Sequence, residues 1–213
     1  HAGFACLGCV MAGDRDRRGF LAGYVQHDHP LMREVNAALE SSTGCKLSQA
    51  PMGTDGCSIP TFGIPLLQLA HAFARIASGQ GLTPGRAAAA QRLRAAVAAA
   101  PLMVGGSGRF DSRVMALFGE RIFCKVGAEG MYCAALPELG LGLALKMDDG
   151  NNARACEVAV AALFEALCLA HDEPQRALLA ELSNVTLRNW RGIVVGRLAA
   201  EPELRRHLHP AGA

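Results

Sequence analysis

The stretch GTDGCSIP, Gly53 to Pro60, sets a cysteine two residues after an aspartate, on a glycine-bearing turn closed by a proline. A cysteine acts as a nucleophile or a metal ligand in its thiolate form, which needs a nearby cation, a metal or a helix N-terminus. Cys57 lies just ahead of a helix start expected within 60–65, and Asp55 is placed to orient a partner from two residues away. The competing reading is a buried turn in which the Asp55 carboxylate accepts backbone amides. A further alternative makes Cys57 its own nucleophile, with a histidine base such as His27 or His71. The stretch alone leaves these readings open.

Other residues able to do chemistry lie further along. GGSGRF, from Gly105 to Phe110, lacks the Gly-Lys-Ser/Thr ending of a phosphate-cradling loop. Its glycines still let backbone N–H groups face a ligand, and Ser107 or Arg109 would hold a carboxylate there. KVGAEG puts Lys125 at a strand end before glycines, the form of the Lys-Thr/Ser-Gly strand in serine β-lactamases, although spacing alone favours a solvated edge lysine. Lys146 closes a strand face otherwise made of Gly140, Gly142 and Ala144, while Asp148 and Asp149 read as caps of the next helix. The CLGC pair, Cys6 and Cys9, has zinc spacing but no second pair at ribbon or finger distance, and reads as two small core residues.

The elements that must position these residues follow from periodicity. HDHP announces a helix with Pro30 in its first turn, Leu31, Val35 and Leu39 on one face and Gly44 as its stop. The Cys57 stretch then follows as a loop. Leu66, Leu69, Ala70, Phe73 and Ile76 form a helical stripe ending at Gly79, with His71 just off it as a half-buried structural residue. Thr83 and Pro84 open a helix running to about Ala100, and a short helix spans 111–118. RIFCKV, GMYCAAL and LGLGLALKM read as strands, the last two joined by a Pro-Glu turn into an antiparallel hairpin. An almost wholly apolar helix over 151–170 is expected to bury against that sheet, followed by a short helix near 174–182 and a strand NWRGIVVGRL. Helices followed by an antiparallel sheet make an α+β plan, without the βαβ alternation of a parallel sheet.

Bulk properties narrow the partners. With 21 basic against 19 acidic residues in 213, the formal charge is +2, so no basic face follows a phosphate backbone and nucleic acid is excluded as a partner. No apolar run reaches the ~20 residues of a bilayer crossing, so no membrane partner is expected. Eight dispersed cysteines suit a reducing, cytoplasmic compartment. The sequence opens on His1 rather than Met, and the start of the gene product is expected to lie upstream.

Taken in order, HAGF, DGCSIPTF with PLLQLA, MVGGSGRFD, KVGAEGMYCAALPELGLGLALKMDDG and NWRGIVVG resemble the asparaginase II family of cysteine- and lysine-bearing L-asparaginases. The resemblance implies a serine-β-lactamase-like α+β fold, with residues 1–213 forming the C-terminal two-thirds of one domain. It further implies hydrolysis of L-asparagine to L-aspartate and ammonia, and a homodimer. Family members carry Cys-Ser-Gly-Lys immediately ahead of the His-Ala-Gly-Phe that is His1 to Phe4 here, and a Ser-x-x-Lys pair further upstream as nucleophile and base. Neither element occurs in the 213 residues, so little or no activity is expected of this chain alone. The family's zinc is held by the cysteine and lysine of the absent tetrad and by the cysteine matching Cys57. On the same implication Asp55, Lys146 and His1 are catalytic candidates, with Lys146 meeting the substrate carboxylate and His1 at the pocket wall. Cys133, Ser107 and Arg109 are the substrate-binding candidates. A cysteine-nucleophile amidohydrolase and a non-catalytic module binding amino acid or zinc stand as alternatives.

Overall fold

The computed structural model describes residues 1–206, which divide into two compact units, His1–Gln68 and the remainder from Leu69. In the first unit the apolar opening run forms helix α1 (Ala2–Ala12). Asp16 accepts the amide of Arg18 and starts the short α2 (Arg17–Leu21). Helix α3 (Pro30–Thr43) has Pro30 in its first turn and a left-handed Gly44 at its end, as its sequence signals demand. Its cap is His29, whose Nδ1 accepts the Leu31 amide at 3.1 Å while Nε2 lies 2.8 Å from the Phe20 carbonyl. Those two bonds fix the tautomer, with the proton on Nε2. Gly8 lets α1 close onto its neighbours, since a Cβ there would stand 2.3 Å from Leu21 and 3.1 Å from Leu31.

The stretch expected to be a plain loop is a small antiparallel hairpin, β1 (Met52–Thr54) with β2 (Pro60–Phe62). Helix α4 (Leu66–Ser78) begins in the first unit and carries on into the second.

In the second unit α5 (Pro84–Ala99), α6 (Leu102–Gly105) and α7 (Phe110–Phe118) precede a three-stranded antiparallel sheet. Its strands are β3 (Phe123–Val126), β4 (Met131–Leu136) and β5 (Leu141–Lys146), with β4 in the centre. Side chains of a strand alternate between faces. Tyr132, Ala134 and Leu136 therefore point together into a core completed by α7 and by α8 (Glu157–Ala166), where Val114, Val160 and Phe164 are fully buried. Burying one such large side chain contributes roughly 1.5–3 kcal/mol. The opposite face receives α4. A Cβ on Gly142 would lie 1.9 Å from the Ala70 carbonyl oxygen, and Phe73 stacks on Phe123 with ring centroids 5.9 Å apart. The small-residue face of β5 thus admits a helix backbone at contact distance.

The expected long helix over 151–170 is broken into a π-turn, Asn152–Cys156, and α8, which ends before Cys168 takes a left-handed φ of 54°. Helix α9 (Glu173–Ser183) leads to a second antiparallel hairpin, β6 (Asn184–Arg188) with β7 (Val194–Ala199), and then to α10 (Pro202–Arg206). The first half of NWRGIVVGRL is the hairpin turn rather than strand, because Asn189 Oδ1 accepts the amides of Arg191 and Ile193, both at 3.0 Å. No helix among the described residues is long and apolar enough to cross a membrane.

Candidate functional site

The β1–β2 turn is built by Asp55. Its Oδ1 accepts the Cys57 amide at 2.8 Å and the Ile59 amide at 2.9 Å, while the Asp55 and Ile59 backbones bond at 3.0 Å. Ser58 takes a left-handed φ of 66° to close the turn. The carboxylate is thus engaged with the loop backbone, the arrangement that turn chemistry favours for aspartate. Its effect is to hold the Cys57 thiol outward, exposed to solvent rather than buried.

Within the first unit no histidine hydrogen-bonds that thiol. His1 pairs through Nδ1 with the Tyr24 hydroxyl, their rings meeting edge to face at 6.1 Å. His27 leans on Phe62, with centroids 6.2 Å apart. Cys6 and Cys9 sit one turn apart on α1, Cys6 exposed and Cys9 half-buried, so they are not the core pair their apolar run suggested. Among the described residues no three His, Cys, Asp or Glu side chains form a metal-binding group. Cys57 supplies one donor where zinc takes at least three protein ligands. The donors present do not fit zinc by themselves.

In the second unit the strand register brings Cys133 and Lys146 to one face of the sheet. Met131 stands opposite Lys146, and Cys133 opposite Ala144 and Lys125. The Lys146 ammonium donates to the carbonyls of Glu129 and, at 2.9 Å, Met147. It ties the 127–130 turn to the end of β5 and remains exposed. Cys133 is buried, and burial first, then the neighbouring Cys156, pushes its thiol up to about 11, so it is protonated at neutral pH. Ser107 and Arg109 are both exposed on the segment joining α6 to α7. Arg109 faces Glu157, whose carboxyl is raised by burial and partly drawn back down by that guanidinium. His71 is exposed rather than half-buried.

One constellation escaped the sequence reading. Asp111, in the first turn of α7, has a side chain only 1% exposed, yet its Oδ2 accepts the Val126 amide at 3.0 Å and its Oδ1 accepts the Tyr132 hydroxyl. The Lys125 ammonium stands 4.0 Å from it. Burial, then the neighbouring Cys124 and Asp111, raises the Tyr132 phenol above its ordinary value, so it stays a donor to that carboxylate. Asp111 therefore fastens α7 to the edge strand that carries Lys125. The only signal in the sequence was an acid at the head of a short helix whose last five residues, Val114 to Phe118, are apolar.

A family model described as L-asparaginase II matches residues 1–200. Among curated proteins no match is found.

Proposed function

The chain belongs to the L-asparaginase II family, and from that premise we propose that it serves the hydrolysis of the side-chain amide of L-asparagine to L-aspartate and ammonia. The single observation that carries this reading is a family match running over residues 1–200. The reaction is an acyl transfer: a nucleophile adds to the amide carbonyl, the C–N bond breaks as ammonia takes a proton, and water then cleaves the acyl intermediate. No Ser-x-x-Lys pair lies within these 213 residues, so no acyl-transfer step is assigned to a residue of this sequence.

The proposal gives the residues in hand a supporting role. Asp55 holds the Cys57 thiol outward on its hairpin, and Lys146 supplies positive charge for the substrate carboxylate from the end of β5. The serine-β-lactamase-like arrangement belongs to the same proposal; it is supported by an antiparallel sheet with helices on both faces and by a lysine ahead of glycines on the edge strand. A reducing cytoplasmic setting, supported by eight free cysteines, and a homodimer complete it.

The test is ammonia release from L-asparagine by the protein expressed from its own gene, with L-glutamine and D-asparagine alongside. Equal amounts of aspartate and ammonia from L-asparagine are expected. A rise in melting temperature with asparagine but no ammonia would replace the reading with a non-catalytic amino-acid-binding module, and neither response would remove it.

A further inference from the structure

Beside the end of β5, where Lys146 donates to the Met147 carbonyl, a cavity of about 370 Å³ opens between Met147, the π-turn, α8, β7 and α10. Two guanidinium groups line it, Arg154 from the π-turn and Arg197 from β7. Two carboxylates line it as well, Asp149 and Glu201. These four groups do not neutralise one another. Neither arginine side chain has a hydrogen bond or an ion pair among the described residues, and Asp149 uses only Oδ1, which accepts the Asn151 amide at 2.9 Å. The remaining wall is aliphatic, with Met147, Val158 and Leu198 among its members.

We propose that this cavity is a binding site for an aliphatic α-amino acid. The argument is one of complementary charge. A pocket with two cations and two anions, unpaired among the described residues, matches a ligand that brings one of each. The arginine fork takes a carboxylate in two parallel bonds, and the acids take an ammonium. A free carboxylic acid or a free amine satisfies only half the set and leaves the other charges facing it unpaired. The third substituent of the ligand must lie on the aliphatic wall. An asparagine amide placed there loses its water without gaining partners, whereas a leucine or valine side chain gains by the transfer. The site therefore discriminates against the substrate of the proposed reaction, and it stands or falls independently of that reading.

Isothermal titration of the protein with L-leucine tests it. One molecule bound per chain is expected. 4-Methylpentanoate, which lacks the ammonium, and 3-methylbutylamine, which lacks the carboxylate, are each expected to bind about tenfold more weakly or worse, the cost of an unmet charged hydrogen bond. Arg154→Gln and Arg197→Gln are expected to weaken leucine by a similar factor while leaving the melting temperature unchanged, since both side chains are exposed. If a variant fails to fold, the analogue series on the unaltered protein decides alone. Absence of binding at millimolar leucine overturns the proposal, as does equal binding of leucine and 4-methylpentanoate, or of leucine and L-asparagine.

Discussion

At the scale of single residues, Asp55 is the position where two readings divide most sharply. Its Oδ1 accepts two loop amides, a task asparagine performs nearly as well because its side-chain oxygen makes the same turn. Asp55→Ala removes both bonds and is expected to lower stability by about 1–2 kcal/mol. Asp55→Asn is expected to leave the melting temperature within a degree or so of the parent, given that surface changes fall within about 0.5 kcal/mol, while lowering asparagine turnover if the carboxylate also faces substrate. Unchanged turnover in the Asn variant would reduce Asp55 to the turn residue its hydrogen bonds describe. The thiols divide in the same way. Cys133 and Cys156 are both pushed up to about 11, first by burial, which leaves roughly one thiolate in a thousand at pH 8. Mass-spectrometric mapping after brief iodoacetamide treatment at that pH is expected to find the exposed Cys6, Cys57 and Cys168 modified well before Cys124, Cys133 and Cys156. Early modification of Cys133 would show that β4 opens far more readily than its packing implies. The sequence placed Cys57 on a turn and Cys133 in a strand, but exposure is decided by which face of that strand a helix covers, and no pattern local to GMYCAAL states it.

At the scale of elements, the most legible feature was the alternation in β5. Glycine and alanine leave one face without bulk, and α4 occupies that face. Gly142→Ala would place a methyl 1.9 Å from the Ala70 oxygen and 2.3 Å from the Ala74 nitrogen, both backbone atoms of a helix that cannot move singly. A loss of about 3 kcal/mol is expected from chemical denaturation. Gly140→Ala meets no atom within 4 Å but sits at a φ of +62°, so its cost is expected at about 1 kcal/mol, and equal costs for the two would argue that α4 does not rest on the sheet. What stayed illegible were elements made by side chains distant in sequence. Strand β6 reads as polar chain until it is paired with β7. The bracing of the sheet by Arg121 shows only in three dimensions: its guanidinium donates to Glu138 at 2.7 and 3.0 Å, to Gln175 at 3.1 Å and to the Leu169 carbonyl. These bonds hold the Glu138 carboxyl below its ordinary value. Its stabilising contribution is therefore complete above the ordinary glutamate range and declines as pH falls through the lowered folded value. With 40% of the Glu138 side chain exposed, solvent screening limits that contribution to under about 1 kcal/mol. Arg121→Ala is expected to flatten the acid limb of a stability–pH curve, and an unchanged limb would assign the acid sensitivity elsewhere.

At the scale of the whole molecule, the two units differ in how much they bury. The large apolar core lies in the second, where Tyr132, Phe164, Val160 and Leu179 are sealed from solvent. Buried hydrophobic residues of the first are few, chiefly Leu31, Met32 and Leu47, and the β1–β2 hairpin is exposed along nearly its whole length. Free energies of local opening follow buried apolar contact, so amides of one chain exchange over a range set by their own unit. A two-stranded hairpin covered only in part, at Pro60 and Phe62, is marginal on its own, and the Cys57 turn sits at its tip. Hydrogen exchange read by mass spectrometry is expected to find the slowest amides in 132–136 and 158–164, and fast exchange over 52–62. The same measurement with L-asparagine present bears on function: a ligand that binds only the folded form slows exchange wherever it suppresses opening. Protection gained in 52–62 would mean that substrate orders the turn carrying Cys57, as the asparaginase reading requires of a pocket residue. Protection confined to the second unit would separate Cys57 from the substrate and leave the hairpin a structural appendage. The choice is sharp because this hairpin has so little stability of its own that any ordering of it must come from what it binds.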